Sequence, residues 1–167
     1  MKGMWLGLVL TMAVSRIVAP PAKSASDGTE ALDVLRGLVG TWDAKTASGR
    51  VVQLSYRLVA NESVLVETFT TASGKETLTV FHADGPRLLA THYCAQRNQP
   101  RLALTESSAA EHLSFEFVDG TNMKEGASHL RRLEIERLGP DKWRRTETYT
   151  SDGKDDVTVF DCSRRAD

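Results

Sequence analysis

The sequence predicts an all-β chain, folded as an antiparallel up-and-down β-barrel of about ten strands behind a short N-terminal helix. Three observations carry that expectation. From Thr41 onward, apolar and polar residues alternate at period two. Turn residues interrupt this alternation at short intervals: Ser48-Gly49, Asn61-Glu62, Ser73-Gly74, Asp84-Gly85, Asn98-Gln99-Pro100, Asp119-Gly120, Gly139-Pro140-Asp141 and Ser151-Asp152-Gly153. Such short connections pair each strand with the one before it. At 167 residues and 41% hydrophobic, the chain is one domain's worth of protein with an ordinary core. A ten-strand meander has two edges to hide, and closing it on itself removes both. The competing architecture is a sandwich of two sheets.

Taken in chain order, Lys2 stands before an apolar run from Met4 to Val14, which Arg16 and then Pro20-Pro21 end. The run falls short of the roughly 20 residues a membrane-spanning helix needs and matches a secretory signal. Ala22 and Ser24, or Ser24 and Ser26, have the spacing a signal peptidase reads, and no cysteine follows to carry a lipid. Residues 1–24 are therefore expected to be a signal peptide and residues 25–167 the barrel domain, periplasmic or secreted, with no membrane insertion after cleavage. Cleavage there removes Lys2, Arg16 and Lys23 and no acid, moving the formal net charge from −1 to −4. That balance gives no electrostatic case for nucleic acid or anionic lipid.

Leu32, Leu35, Leu38 and Val39 recur at helical spacing, with Asp27 and Glu30 as a capping box and Gly40 placed to end the helix. Strands are expected in the Trp42 segment and over 50–60, 64–72, 75–82, 87–95, 101–106, 112–118, 128–138, 142–150 and 154–162. A three-residue loop at Ala83-Asp84-Gly85 would put Leu78, Val80 and His82 on one face with Leu88, Ala90, His92 and Cys94, leaving Tyr93 opposite. In an oxidising compartment, Cys94 and Cys162 could pair, closing a long loop worth on the order of 4 kcal/mol. The alternative is two buried thiols.

The chain lacks nucleophile-elbow, phosphate-loop, zinc-protease and Cys-x-x-Cys motifs. Its chemically densest stretch runs from Thr91 to Arg101. His92 and Cys94 lie about 7 Å apart on one strand face, a spacing usable by two metal ligands with Glu67 or His82 as a third, or by a haem ligand. The plainer reading is a polar cluster or an organic-ligand contact, so no metal and no cofactor is expected. Glu67 interrupts an apolar strand. Facing inward it would need Arg101, His92 or Tyr93 as partner and could orient a ligand or act as a base; it could equally face solvent. His112 and His129 begin strands and read as surface residues.

Gly40-Thr41-Trp42, opening the first strand after a helix, looks like the Gly-x-Trp of lipocalins. There the tryptophan closes the barrel's base beneath an arginine from a late strand, a part for Arg144 or Arg145 here. Over most of the chain after residue 37 the sequence resembles an uncharacterised bacterial family of lipocalin-like, calycin-type barrels. The resemblance runs through Leu65-Val66-Glu67-Thr68, Thr79-Val80-Phe81-His82, Thr91-His92-Tyr93-Cys94, Asn98-Gln99-Pro100-Arg101 and Phe115-Glu116-Phe117-Val118-Asp119. It implies a β-barrel and no particular activity.

The expected function is binding of a small, largely apolar molecule inside the barrel. Leu78, Val80, Leu88 and Ala90 would form apolar wall, and Glu67, His82, His92, Tyr93 and Arg101 would supply polar contacts. The alternative is an enzyme acting on a cavity-bound molecule through Glu67, His92 and Tyr93.

Overall fold

The computed structural model describes residues 28–106, 108 and 111–166. The expected signal peptide and Asp27 of the expected capping box lie outside them. Helix α1 (Gly28–Arg36) is followed by ten strands: β1 (Gly40–Lys45), β2 (Val51–Val59), β3 (Val64–Thr71), β4 (Glu76–Asp84), β5 (Arg87–Tyr93), β6 (Gln99–Leu104), β7 (His112–Thr121), β8 (His129–Gly139), β9 (Lys142–Ser151) and β10 (Lys154–Arg164). Each pairs antiparallel with its sequence neighbour. β10 returns to β1, with Trp42 opposite Arg164 and Lys45 opposite Asp161, so the sheet closes into the expected barrel.

The alternation read from the sequence becomes an inside and an outside. Leu54, Leu65, Phe81, Leu88, Ala90, Leu102, Leu113, Phe115, Leu133 and Phe160 are buried in one continuous core. α1 lies across the end formed by the β2–β3 and β4–β5 turns, with Ala31, Leu32 and Leu35 buried against it. Gly28 is required there: its N–H bonds the Pro86 carbonyl at 2.8 Å, and a β-carbon would overlap the Arg87 carbonyl. The helix stops at Arg36, before Gly40, and three tight i→i−3 bonds lead the chain from Gly37 to Val39 into β1. Gly40 serves another purpose. Its φ of 124° suits only glycine, and a side chain there would crowd Arg164.

Arg164 is the arginine over Trp42. Its guanidinium sits 4.2 Å from the indole ring and donates to the carbonyls of Gly37 and Val39. Trp42 in turn donates to the Leu38 carbonyl at 2.7 Å and meets Trp143 edge-on. Arg144 instead pairs with Asp161 on the outer surface, and Arg145 points into the barrel, so neither takes the expected part.

The β4–β5 hairpin also differs from expectation. Asp84 pairs with Arg87, leaving the two-residue loop Gly85-Pro86, with Gly85 at a φ of 59°. Positive φ followed by a proline suits a tight hairpin turn. The change from three loop residues to two reverses the facing of one strand relative to the other. Thr79 and Phe81 therefore share the interior with Leu88, Ala90 and His92. Leu78, Val80 and His82 lie on the outer face with Tyr93, and Leu78 and Val80 form no part of an inner wall.

Both cysteines are free thiols, and the expected disulfide is not formed. The topology explains this. Cys162 is on β10, whereas Cys94 follows β5, five strands away in either direction around the ring, so the two stand on opposite walls.

Candidate functional site

The register of four adjacent strands sets one row of polar side chains side by side on the inner face. Tyr56 on β2 lies opposite Glu67 on β3, Glu67 opposite Thr79 on β4, and Thr79 opposite His92 on β5. All four are buried, Glu67 and Thr79 completely. Tyr56 donates to Glu67 Oε2 at 2.7 Å and Thr79 donates to Glu67 Oε1 at 3.0 Å.

β9 completes the site from across the barrel. Trp143, Arg145, Glu147 and Tyr149 alternate along it and face inward. Arg145, with a side chain 2% exposed, reaches Glu67 Oε2 at 2.5 Å through Nη1 and Glu147 Oε1 at 2.9 Å through Nε. Burial alone would favour loss of its proton. The two carboxyl groups outweigh that and push its pKa above the ordinary value, so the guanidinium stays charged. Its remaining nitrogen, Nη2, is buried without a partner.

The hydrogen-bond pattern fixes the His92 tautomer. Thr79 spends its single proton on Glu67, so its oxygen can only accept from His92 Nδ1–H, 3.1 Å away. Nε2 is then the acceptor for the Tyr149 hydroxyl, also at 3.1 Å. The sequence of donations runs from Tyr149 through His92 and Thr79 to Glu67. Cys94 lies beside its outer end, its sulfur 3.8 Å from the Tyr149 oxygen and its S–H directed at Gln96 Oε1. Burial, with the Arg145 charge adding to it and Glu147 opposing, lowers the His92 pKa from 6.5 to about 4. Burial, with Glu147 and Cys94 beside it, raises that of Tyr149. Both groups are neutral at pH 7.

This row separates a filled half of the barrel from an open one. Towards α1 the interior is packed with side chains, including the Phe81–Phe115 and Trp42–Trp143 edge contacts. At the opposite end a cavity of about 320 Å³ opens among the β1–β2, β3–β4 and β5–β6 turns. Phe69 forms apolar wall; Cys94, Glu147 and Tyr149 lie deeper; Arg50, Lys75, Glu76, Gln96 and Asp156 stand around the rim.

Of the five residues expected to touch a ligand, the structure brings two together inside the barrel, Glu67 and His92. The other three are outside. His82 turns back on its own strand to the Ala83 carbonyl, Tyr93 is 48% exposed, and Arg101 is held by Asp119. Tyr93 and Arg101 border a larger depression of about 480 Å³, but it is open to solvent on the outer wall and removed from the buried row. The metal alternative is not assembled either. His82 points away, both nitrogens of His92 are taken by hydroxyls, and among the described residues no three His, Cys, Asp or Glu side chains converge. Glu67 finds its cation in Arg145 and not in Arg101. Tyr56, Thr79, Glu147 and Tyr149 were not anticipated.

The chain matches no protein-family model and no curated protein. Among solved structures it is similar to the crystal structure of Rv2717c from M. tuberculosis, with a TM-score of 0.56 at 15% identity, covering 82% of this chain and 98% of that one. At that identity the likeness concerns the fold.

Proposed function

We propose that this is an exported, lipocalin-like binding protein that holds a small, largely apolar molecule in the mouth of its barrel. The observation that carries the reading is the cavity of about 320 Å³ beside Phe69 and above the buried polar row. Its size lies at the small end of ligand cavities, roughly 300–1,000 Å³, and a few convergent polar groups beside apolar wall are the usual make-up of such sites. The lipocalin-like assignment is supported by Trp42 beneath Arg164 at the plugged end.

Binding fits the site better than catalysis. The enzyme reading needs Glu67, His92 and Tyr93 together, and Tyr93 is outside the barrel. Tyr149 does not replace it as a reacting group: a base at about 4 cannot take a proton from a phenol raised above its ordinary range. The relay instead fixes side-chain positions around the cavity.

An uncharged, environment-sensitive naphthalene dye such as prodan is expected to bind saturably at one site per chain. Gln96→Trp at the exposed rim, which would place an indole in the mouth, should weaken it at least about tenfold by occlusion. Tyr93→Ala on the outer wall should leave it unchanged. A non-saturating fluorescence rise, or equal loss in both variants, would overturn the reading. Export rests on Lys2, the apolar run from Met4 to Val14 and the small residues after Pro21. Expressed from the full sequence in a bacterial host, the protein should be recovered outside the cytoplasm with the mass of a chain beginning at Ala25 or Asp27; intact mass in the cytoplasm would refute it.

A further inference from the structure

We propose that the molecule bound in the mouth carries a positively charged, hydrogen-bond-donating end, an alkylammonium on an apolar body, and that the Arg50 guanidinium is the group it displaces. The proposal deepens the ligand-binding reading and rests on it.

The deep wall of the cavity presents acceptors. Glu147, nine-tenths buried, lines the cavity and has only Oε1 engaged, by Arg145. The Tyr149 proton is committed to His92, which leaves its oxygen to accept. Of the donors at this depth, Cys94 S–H goes to Gln96, and Arg145 Nε and Nη1 go to the two glutamates, which leaves Arg145 Nη2 as the unpartnered one. Arg145 itself does not line the cavity. Two carboxyl groups, Glu67 and Glu147, thus stand against one buried guanidinium, a balance that favours an added cation and opposes an added anion.

The apolar wall is suited to the same charge. Phe69 and Phe160 meet edge-on with centroids 5.6 Å apart, and the Arg50 guanidinium lies 6.0 Å from one ring and 5.4 Å from the other. Aromatic faces attract cations at this range. Arg50 is exposed, and among the described residues no carboxylate pairs with it. Its guanidinium marks a cation position at the mouth while its flexible stem leaves it free to withdraw. Once it does, the charged groups lining the cavity are Glu76, Glu147 and Asp156 against Lys75. An anion would have to be held by Arg50 and Lys75 at the rim, which is the rival outcome.

The test uses three ligands of one shape: 4-phenylbutylammonium, 4-phenylbutanol and 4-phenylbutanoate, titrated by calorimetry at pH 7. The ammonium should bind tightest, about tenfold above the alcohol, with the carboxylate weakest. Glu147→Gln should bring the ammonium to the level of the alcohol. Arg50→Ala, at an exposed position that leaves the fold intact, should raise ammonium affinity by about threefold and lower that of the carboxylate. The proposal is overturned if the carboxylate binds tightest, if the three bind equally, or if Arg50→Ala weakens the ammonium. If none binds while prodan saturates, the charge inference fails and the binding site stands; if prodan also fails, both fall.

Discussion

Replacing Arg145 with methionine should lower stability at pH 7 by about 3–5 kcal/mol, the range for removing one partner from a buried ion pair. Glu67 and Glu147 would be left beside one another in the interior without their cation, and Tyr56 and Thr79 would remain bonded to a stranded carboxyl group. In a domain of this size that corresponds to a loss of roughly 10–20 °C in melting temperature. The cause can be separated from lost volume by a second change. Glu67→Gln added to the Arg145 variant removes one of the uncompensated charges, so the double variant should be more stable than Arg145→Met alone. A double variant as unstable as the sum of the two single losses would show that the ion pair is not what Arg145 supplies.

Stability should also fall on mild acidification, by about 3 kcal/mol between pH 6.5 and pH 4, on account of His92 alone. Its pKa is about 4 in the fold against 6.5 unfolded, because burial opposes its charge. Across that window the unfolded chain takes up a proton that the native one refuses, at about 1.4 kcal/mol per pH unit. The stabilising contribution is fully present above pH 6.5, is lost as pH falls towards 4, and changes no further below that. Other groups titrate in the same interval, so the comparison is with His92→Gln. The wild-type advantage, measured by urea unfolding at each pH, should shrink by about 3 kcal/mol as pH falls. A constant advantage would mean that His92 is protonated within the fold.

Much of the architecture could be read from the sequence because a strand's side-chain period is two and its turns use few residue types. The ten strands fall close to the expected stretches, and Glu67 stood out as the one charge in an apolar strand. The site was harder to read. The inward face of β4 depends on loop parity, and Gly85-Pro86 reverses it with a single residue, which puts His82 outside and Thr79 inside. Glu147 gives no inward signal because charged residues ordinarily point to water, and the Gly-x-Trp resemblance directs Arg145 to the barrel's base rather than to Glu67. Yet Trp143, Arg145, Glu147 and Tyr149 fall on one face at period two, and the aromatics at either end were the available signal. Arg164 lies 122 residues after Trp42, and a local pattern carries no information about which late arginine completes the plugged end.

The seam between the first and last strands sets the timing of folding. Its paired residues, such as Trp42 with Arg164, are more than a hundred positions apart, so loop closure must precede any reward from their contact. Nor can the join form before β10 has been made, because β10 supplies one side of it. Until then the growing polypeptide is an unclosed ribbon with two bare edges.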